Sequence, residues 1–432
     1  MNAGPGQAGA AHARRRWLRW LLALCAAPFV LLALLWLVVW LALPPERVVP
    51  LLLARLGASL NLELTAEGDP SSRLGRHPAF VVRNVVAREP GAERPLLQAR
   101  RILVALPWRT LRGLGDPLDL ARIELDAPLL DLPALRHWLA SRPPGDARLP
   151  TLSDGLRVRA GEVRGDGWRL EALDLSIPRF QPARPLRAWI SGRYDNGATR
   201  APFDLALSWT RPESGRGLGI AGFVEPSRED WALPAWVTFS GTPRWGEGIQ
   251  VLPAKLGASA RYVSGETSVP FAIGLHGPLR SHGGAWTLLP AGVALRGAGP
   301  VPRFDGRGTL AIGPRLVARL DGRIAQWPPD WPALPPPLSA SGSPLALALD
   351  YAGAPTLSDP LQLRVARDDT TFDGRLRVPE MVAWAGAGAD SPLPPLQGRL
   401  QTPRLEIAGA RLEGVVVEFE DEPATTTPDP AP

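Results

Sequence analysis

From Trp20 to Leu43 the chain runs through 24 residues without a charge, its apolar character broken only at Pro28. As a helix rising 1.5 Å per residue this stretch is about 36 Å long, enough for a hydrocarbon core of roughly 30 Å. A helix satisfies its own backbone in lipid, and Pro28 kinks it without forbidding it. Trp17 and Trp20 stand at one end and Trp36 and Trp40 near the other, where indole rings favour the headgroup region. A cleavable signal peptide is the competing reading. It fits poorly, because the apolar run is too long and Pro28 directly follows the only small pair, Ala26-Ala27. Leu22-Ala23-Leu24-Cys25 imitates a lipoprotein box, but Leu24 is bulky where a small residue is needed, so Cys25 reads as an apolar residue of the span.

Arg14, Arg15, Arg16 and Arg19 precede the span with no acidic residue among them. Positive charge beside a span stays on the cytoplasmic side, so residues 1–19 read as a cytoplasmic basic tail, 20–43 as a transmembrane helix, and the bulk as lying outside the cytoplasm. Setting those four arginines aside leaves 44 basic against 42 acidic residues, so the high isoelectric point is no nucleic-acid signature. One cysteine excludes an intramolecular disulfide or a cysteine metal cluster.

Beyond the span, Pro44 to Ala58 has the spacing of a short amphipathic helix, with Val48, Val49, Leu52, Leu53 and Leu56 on one side. From Leu62 the period becomes two. Alternation recurs at Leu118 to Asp126, Leu156 to Arg164, Trp168 to Ile177, Phe203 to Thr210, Leu345 to Tyr351, Leu361 to Arg367 and Leu412 to Glu420, with Gly or Pro between the runs. A mainly β architecture follows. Two short helices are expected, at Trp108 to Arg112 and at Leu132 to Ser141, the latter with Leu135, Trp138 and Leu139 on one side. Residues 141–155 read as a linker between an outer region at 44–140 and a β-rich region at 156–421. Trp327 to Pro344, with seven prolines, reads as a loop, and 422–432 as a disordered tail.

The sequence offers no catalytic constellation. His276 and His282 flank a turn-like stretch without an acidic or cysteine ligand between them. The Gly297/Gly299, Gly306/Gly308 and Gly386/Gly388 pairs read as turns or bulges, and Asp368-Asp369 as a polar hairpin turn before Thr370-Thr371. The arginines, for example Arg157/Arg159 and Arg375/Arg377, fall on the polar phase of the strands, as on a solvated face. The expectation is therefore of no catalytic residue, no cofactor, no metal and no nucleic-acid partner. The recurring apolar phase has two readings: the core of a closed sandwich or barrel, or the lining of an open groove for acyl chains.

The order of features resembles the AsmA-like family of bacterial envelope proteins. The likeness lies in Leu51 to Gly57, Pro78-Ala79-Phe80-Val81-Val82-Arg83-Asn84-Val85, Pro95 to Ile102, and Leu118 to Leu132 with its close on Ala127-Pro128-Leu129-Leu130-Asp131-Leu132. Phe372-Asp373-Gly374-Arg375-Leu376 and Leu405 to Val417 are similar to the family's closing strands. The resemblance implies an inner-membrane-anchored periplasmic protein with an elongated, taco-like antiparallel sheet, apolar on its inner face, that shields or transfers phospholipid acyl chains and supports outer-membrane lipid homeostasis. Leu345, Leu347 and Leu349, with Leu361, Leu363 and Val365 on the next strand, are the residues expected to line the groove. The alternative is a structural subunit of an envelope secretion or assembly complex, docking protein partners. The orientation is directly testable: a reporter active only in the cytosol, fused after Pro432, is expected to be silent.

Overall fold

The computed structural model of the protein describes residues 62–419, other than 74–75, 112–118, 142–150, 246–247, 283, 332–333, 335–337, 340, 387–394 and 408–409. The expected basic tail, span, amphipathic helix at 44–58 and tail at 422–432 lie outside the described residues. Among those residues no helix is long and apolar enough to cross a membrane. Among the described residues the chain is mainly β, with 21 strands in one large mixed sheet and two more in a separate pair, and its contacts divide it into two compact units.

The first unit takes in residues 1–250 and 262–267. Its strands are β1 (Glu63–Arg73), β2 (Ala79–Arg88), β3 (Leu97–Ala105), β4 (Asp119–Leu120), β5 (Arg122–Asp131), β6 (Thr151–Leu152), β7 (Leu156–Arg164), β8 (Arg169–Ile177), β9 (Leu186–Asp195), β10 (Arg200–Arg211), β11 (Arg216–Val224), β12 (Ala235–Gly241) and β13 (Pro243–Trp245), and β14 (Ile249–Ser264) is shared with the second unit. The expected strands at 156–164, 168–177 and 203–210 are present to within a few residues. The pairing runs β1–β2–β3–β5–β7–β8–β9–β10–β11–β12, each strand beside its neighbour in sequence except where β3 passes to β5 and β5 to β7, since β4 and β6 pair with each other.

That junction corrects the expectation of a purely antiparallel sheet, because β5 and β7 are parallel. A parallel pair needs a crossover rather than a hairpin. Here the crossover contains α2 (Leu132–Ala140), which follows α1 (Trp108–Leu111). The Asp131 carboxylate accepts the Ala134 N–H at 2.9 Å and Pro133 sits in the first turn, both strong helix-start signals. Leu132, Leu135 and Trp138 then face the sheet and pack with Leu62 and Leu96. The alternation expected to run unbroken from Leu118 is interrupted at Ala121, which separates β4 from β5. Residues 151–152, expected within a linker, instead form β6, parallel to β4, with the Thr151 hydroxyl bonded to Asp119. Leu152 is fully buried, so the gain from excluding it from water outweighs the local turn chemistry. The core beside this pair contains Ile102, Val104, Leu120, Ile123, Leu125 and Val158.

The second unit takes in 251–261 and 268–432. Its further strands are β15 (Thr267–His282), β16 (Ala285–Gly297), β17 (Phe304–Ile312), β18 (Leu316–Ile324), β19 (Leu345–Gly353), β20 (Leu361–Arg367), β21 (Thr370–Leu376), β22 (Leu396–Ile407) and β23 (Ala410–Phe419), with α3 (Val378–Gly386) between β21 and β22. Every pair from β15–β16 to β22–β23 is antiparallel and sequential. The helix α3 is absent from the period-two reading, and it holds Val378 and Pro379 in its first turn and ends on Gly386. His276 and His282 do not flank a turn: both lie exposed on the 16-residue β15, which continues through Gly277-Pro278 as the pairing shifts by a bulge. Asp368-Asp369 do form the hairpin turn between β20 and β21, with Asp368 at φ 49°. Ile123 is fully buried in the first unit's core. Ile123→Ala is expected to destabilise that unit by about 2–5 kcal/mol, read as a lower urea midpoint.

Candidate functional site

The six sequence-derived lining residues fall on one face of the second unit. Leu347 is paired with Val365 and Leu349 with Leu363 across β19 and β20, and residues directly opposite in a sheet project to the same side. On the other flank, Leu345, Leu347 and Leu349 are paired with Ile324, Gly322 and Leu320 of β18. Phe304 lies beside Ile324, and Phe372 beside Val365, which carries the apolar face from β17 to β21. Ala346, between two lining positions, is exposed on the opposite face.

Burial separates the six. Leu345 is fully buried, and Val365 and Leu361 are 6% and 9% exposed, whereas Leu347, Leu349 and Leu363 are half-buried, as is Leu320. The buried end belongs to a cluster of Phe304, Ile324, Leu345 and Val365, against which Trp327, Trp331 and Leu334 pack from the Pro-rich connection between β18 and β19. The expected loop is thus a loop, but its described apolar residues serve the core, and Leu338 is buried as well. Arg367, at the end of β20, pins this connection: its Nε donates to the Ser343 carbonyl and its Nη1 to the Leu338 carbonyl, both at 2.7 Å. At the strand end away from this cluster, Tyr351 is also buried, its hydroxyl donating to the Ala354 carbonyl. A half-covered apolar strip therefore lies between two buried margins.

On either side of this strip lies a feature that the alternation alone does not reveal. Phe304-Asp305-Gly306-Arg307 and Phe372-Asp373-Gly374-Arg375 are the same four residues in the same order, and a search for repeated short strings would have found them. In each, the Phe ring lies over two glycines. The Phe304 ring covers Gly306 and Gly322 of the neighbouring strand, and the Phe372 ring covers Gly374 and Gly398. A side chain at these glycines has no room: a Cβ on Gly322 would stand 2.5 Å from the Asp305 carbonyl oxygen. Gly322→Ala is accordingly expected to cost about 1–3 kcal/mol, measured by denaturant unfolding.

The opposite face carries the charges. Arg319 pairs with Asp350 and Arg364 with Asp373, exposed pairs between adjacent strands. Together with Gln362, Arg375 and Gln397 they line a concavity of about 750 Å³. The Asp373 hydrogen bond, and then its charge, raise the Arg364 pKa above the ordinary value, which keeps the guanidinium ionised. Exposed pairs of this kind contribute little net stability, and balanced charge gives the concavity no evident ligand preference. On the polar side of β9, β11 and β12 in the first unit, Trp189, Phe223 and Trp236 are exposed, and Phe223 stands directly opposite Trp236.

Among the described residues no group of three or more His, Cys, Asp or Glu side chains is arranged to hold a metal ion. No protein-family model, curated protein or solved structure matches this chain.

Asp368 provides a pH test of the pinned connection. Hydrogen bonds from the Ser341 and then the Ser343 hydroxyl hold its carboxyl below the ordinary carboxylate range. A depressed folded-state pKa contributes stability that is complete above the unfolded value, near 3.9, and is lost as pH falls through the folded value. Asp368→Asn is expected to reduce stability at neutral pH and to flatten its decline below about pH 4, measured by thermal melts across pH.

Proposed function

We propose that the protein is an inner-membrane-anchored periplasmic component that shields or transfers phospholipid acyl chains along the apolar face of its β-region. The observation that carries this reading is the strip of Leu320, Leu347, Leu349 and Leu363: four leucines on three adjacent strands, one face, each half-buried. A soluble sheet gains by covering such a surface, and an acyl chain is an apolar ligand that needs no polar partner along its length. The absence of any sequence constellation for chemistry, the basic tail and span, and the likeness to AsmA-like proteins all favour the same assignment. The elongated, taco-like groove belongs to this proposal, as do the periplasmic location and the role in outer-membrane lipid homeostasis.

A second reading, a structural subunit of an envelope assembly, is favoured by the exposed Trp189, Phe223 and Trp236, since large aromatics are typical anchors of protein interfaces. Purification in mild detergent separates the two. A lipid carrier retains phospholipid, whereas a scaffold retains protein partners and no stoichiometric lipid.

The direct test is Leu347→Glu. In a sealed core an unpaired carboxylate costs several kcal/mol and unfolds the unit. At the half-covered strip the carboxylate reaches water, so the variant is expected to stay folded and to lose bound phospholipid. A photo-crosslinker at Leu349 is expected to capture lipid while one at Ala346 does not. Unfolding of Leu347→Glu, together with no lipid captured at Leu349 or Leu363, would overturn the proposal.

A further inference from the structure

The two margins of the leucine strip differ in what forms them. At the Leu345 margin stand Trp327 and Trp331, packed edge to face with centroids 4.8 Å apart and planes at 85°, against the cluster that includes Ile324 and Leu345. The Trp331 Nε1–H donates to the Pro300 carbonyl at 2.8 Å, which ties the indole to the connection between β16 and β17. That bond also removes the one polar group by which the Trp331 ring would favour water over a hydrocarbon neighbour. Both indoles remain half-exposed, so part of each ring is available to a ligand. Along the strand at this margin exposure steps sharply: Leu345 has no exposed surface, and Leu347, two residues along and on the same face, is half-exposed.

We propose that Trp327 and Trp331 form the side wall of the acyl site. They confine a bound chain to the strip of Leu320, Leu347, Leu349 and Leu363 and deny it Leu345. Because these four leucines sit on β18, β19 and β20, the chain lies across the strands, advancing about 4.8 Å per strand, with the indole pair along its flank. Arg367 is the positioning residue of the wall, since it fixes the C-terminal part of the same connection through two carbonyls. The inference rests on the lipid reading above, and it narrows the six sequence-derived positions to those a lipid reaches.

The test uses the full-length protein and phosphatidylcholine with brominated acyl chains, which quench tryptophan fluorescence on contact. Quenching is expected in the native protein, and the quenched part of its total tryptophan fluorescence is expected to be smaller when Trp327→Phe and Trp331→Phe are combined, because the removed indoles are among those the acyl chains touch. This conservative pair keeps an apolar ring at each position. Photo-crosslinkers at Leu345 and Leu349 supply the second measurement. Capture is expected at Leu349 and not at Leu345, and several-fold greater capture at Leu345 when Trp327→Ala and Trp331→Ala are combined, with circular dichroism confirming the fold. Equal capture at Leu345 and Leu349 in the native protein overturns the wall. So does unchanged capture at Leu345 in a folded double-alanine variant that still captures lipid at Leu349. If the double-alanine variant does not fold, the quenching comparison decides, and quenching identical in native and double-phenylalanine proteins overturns the wall. Lipid captured at neither Leu349 nor Leu363 removes the acyl site itself, an outcome distinct from a failed wall with lipid present.

Discussion

Sequential antiparallel pairing is the constraint on which the other features depend. In the second unit each strand hydrogen-bonds to the strand before it and the strand after it, from β15 to β23. Register fixes sidedness, because a slip of one residue would send every leucine of a strand to the charged face. The first unit departs from this pattern where β5 meets β7 and β4 meets β6 in parallel, and the crossover from β5 to β7 contains a helix.

Both faces enforce that register by different means. On the charged side, Arg319–Asp350, Arg364–Asp373 and Arg399–Glu418 join neighbouring strands. Their exposure makes them weak in net stability, but a two-residue slip would part each pair. On the apolar side, the Phe304 and Phe372 rings each lie over a glycine of their own strand and a glycine of the next. Only glycine leaves room for the ring there, so each Phe-Gly set specifies one pairing. One set lies at β17 and β18 and the other at β21 and β22, so the two rings flank the leucines of β19 and β20 on the apolar face.

The Pro-rich connection between β18 and β19 joins these themes. The described prolines of the connection, Pro328, Pro329 and Pro344, lie outside the strands, and the buried Arg367 gives carbonyls of the connection donors in place of a strand partner. Its tryptophans then compete with solvent for the Leu345 end of the face. The result is a face divided into a sealed part and an accessible part, a division that matters for any apolar ligand.

How much of this was legible in the chain follows from the range of each interaction. Alternation at Leu345 to Tyr351 and Leu361 to Arg367 is a local property, so the strands, their common apolar face and the turn at Asp368-Asp369 could be read directly. The β class and the arginine-bearing polar phase were readable for the same reason. Composition alone did not reveal that Thr151-Leu152 pairs with Asp119-Leu120, that β5 meets β7 in parallel, or that His276 and His282 share one strand. Each depends on which distant segment arrives beside it. Nor did alternation distinguish Leu345 from Leu347, which are equivalent in pattern. Leu345 is sealed inside a cluster against which Trp327, Trp331 and Leu347 pack from outside, and burial is a property of what packs against a side chain, which only tertiary structure decides.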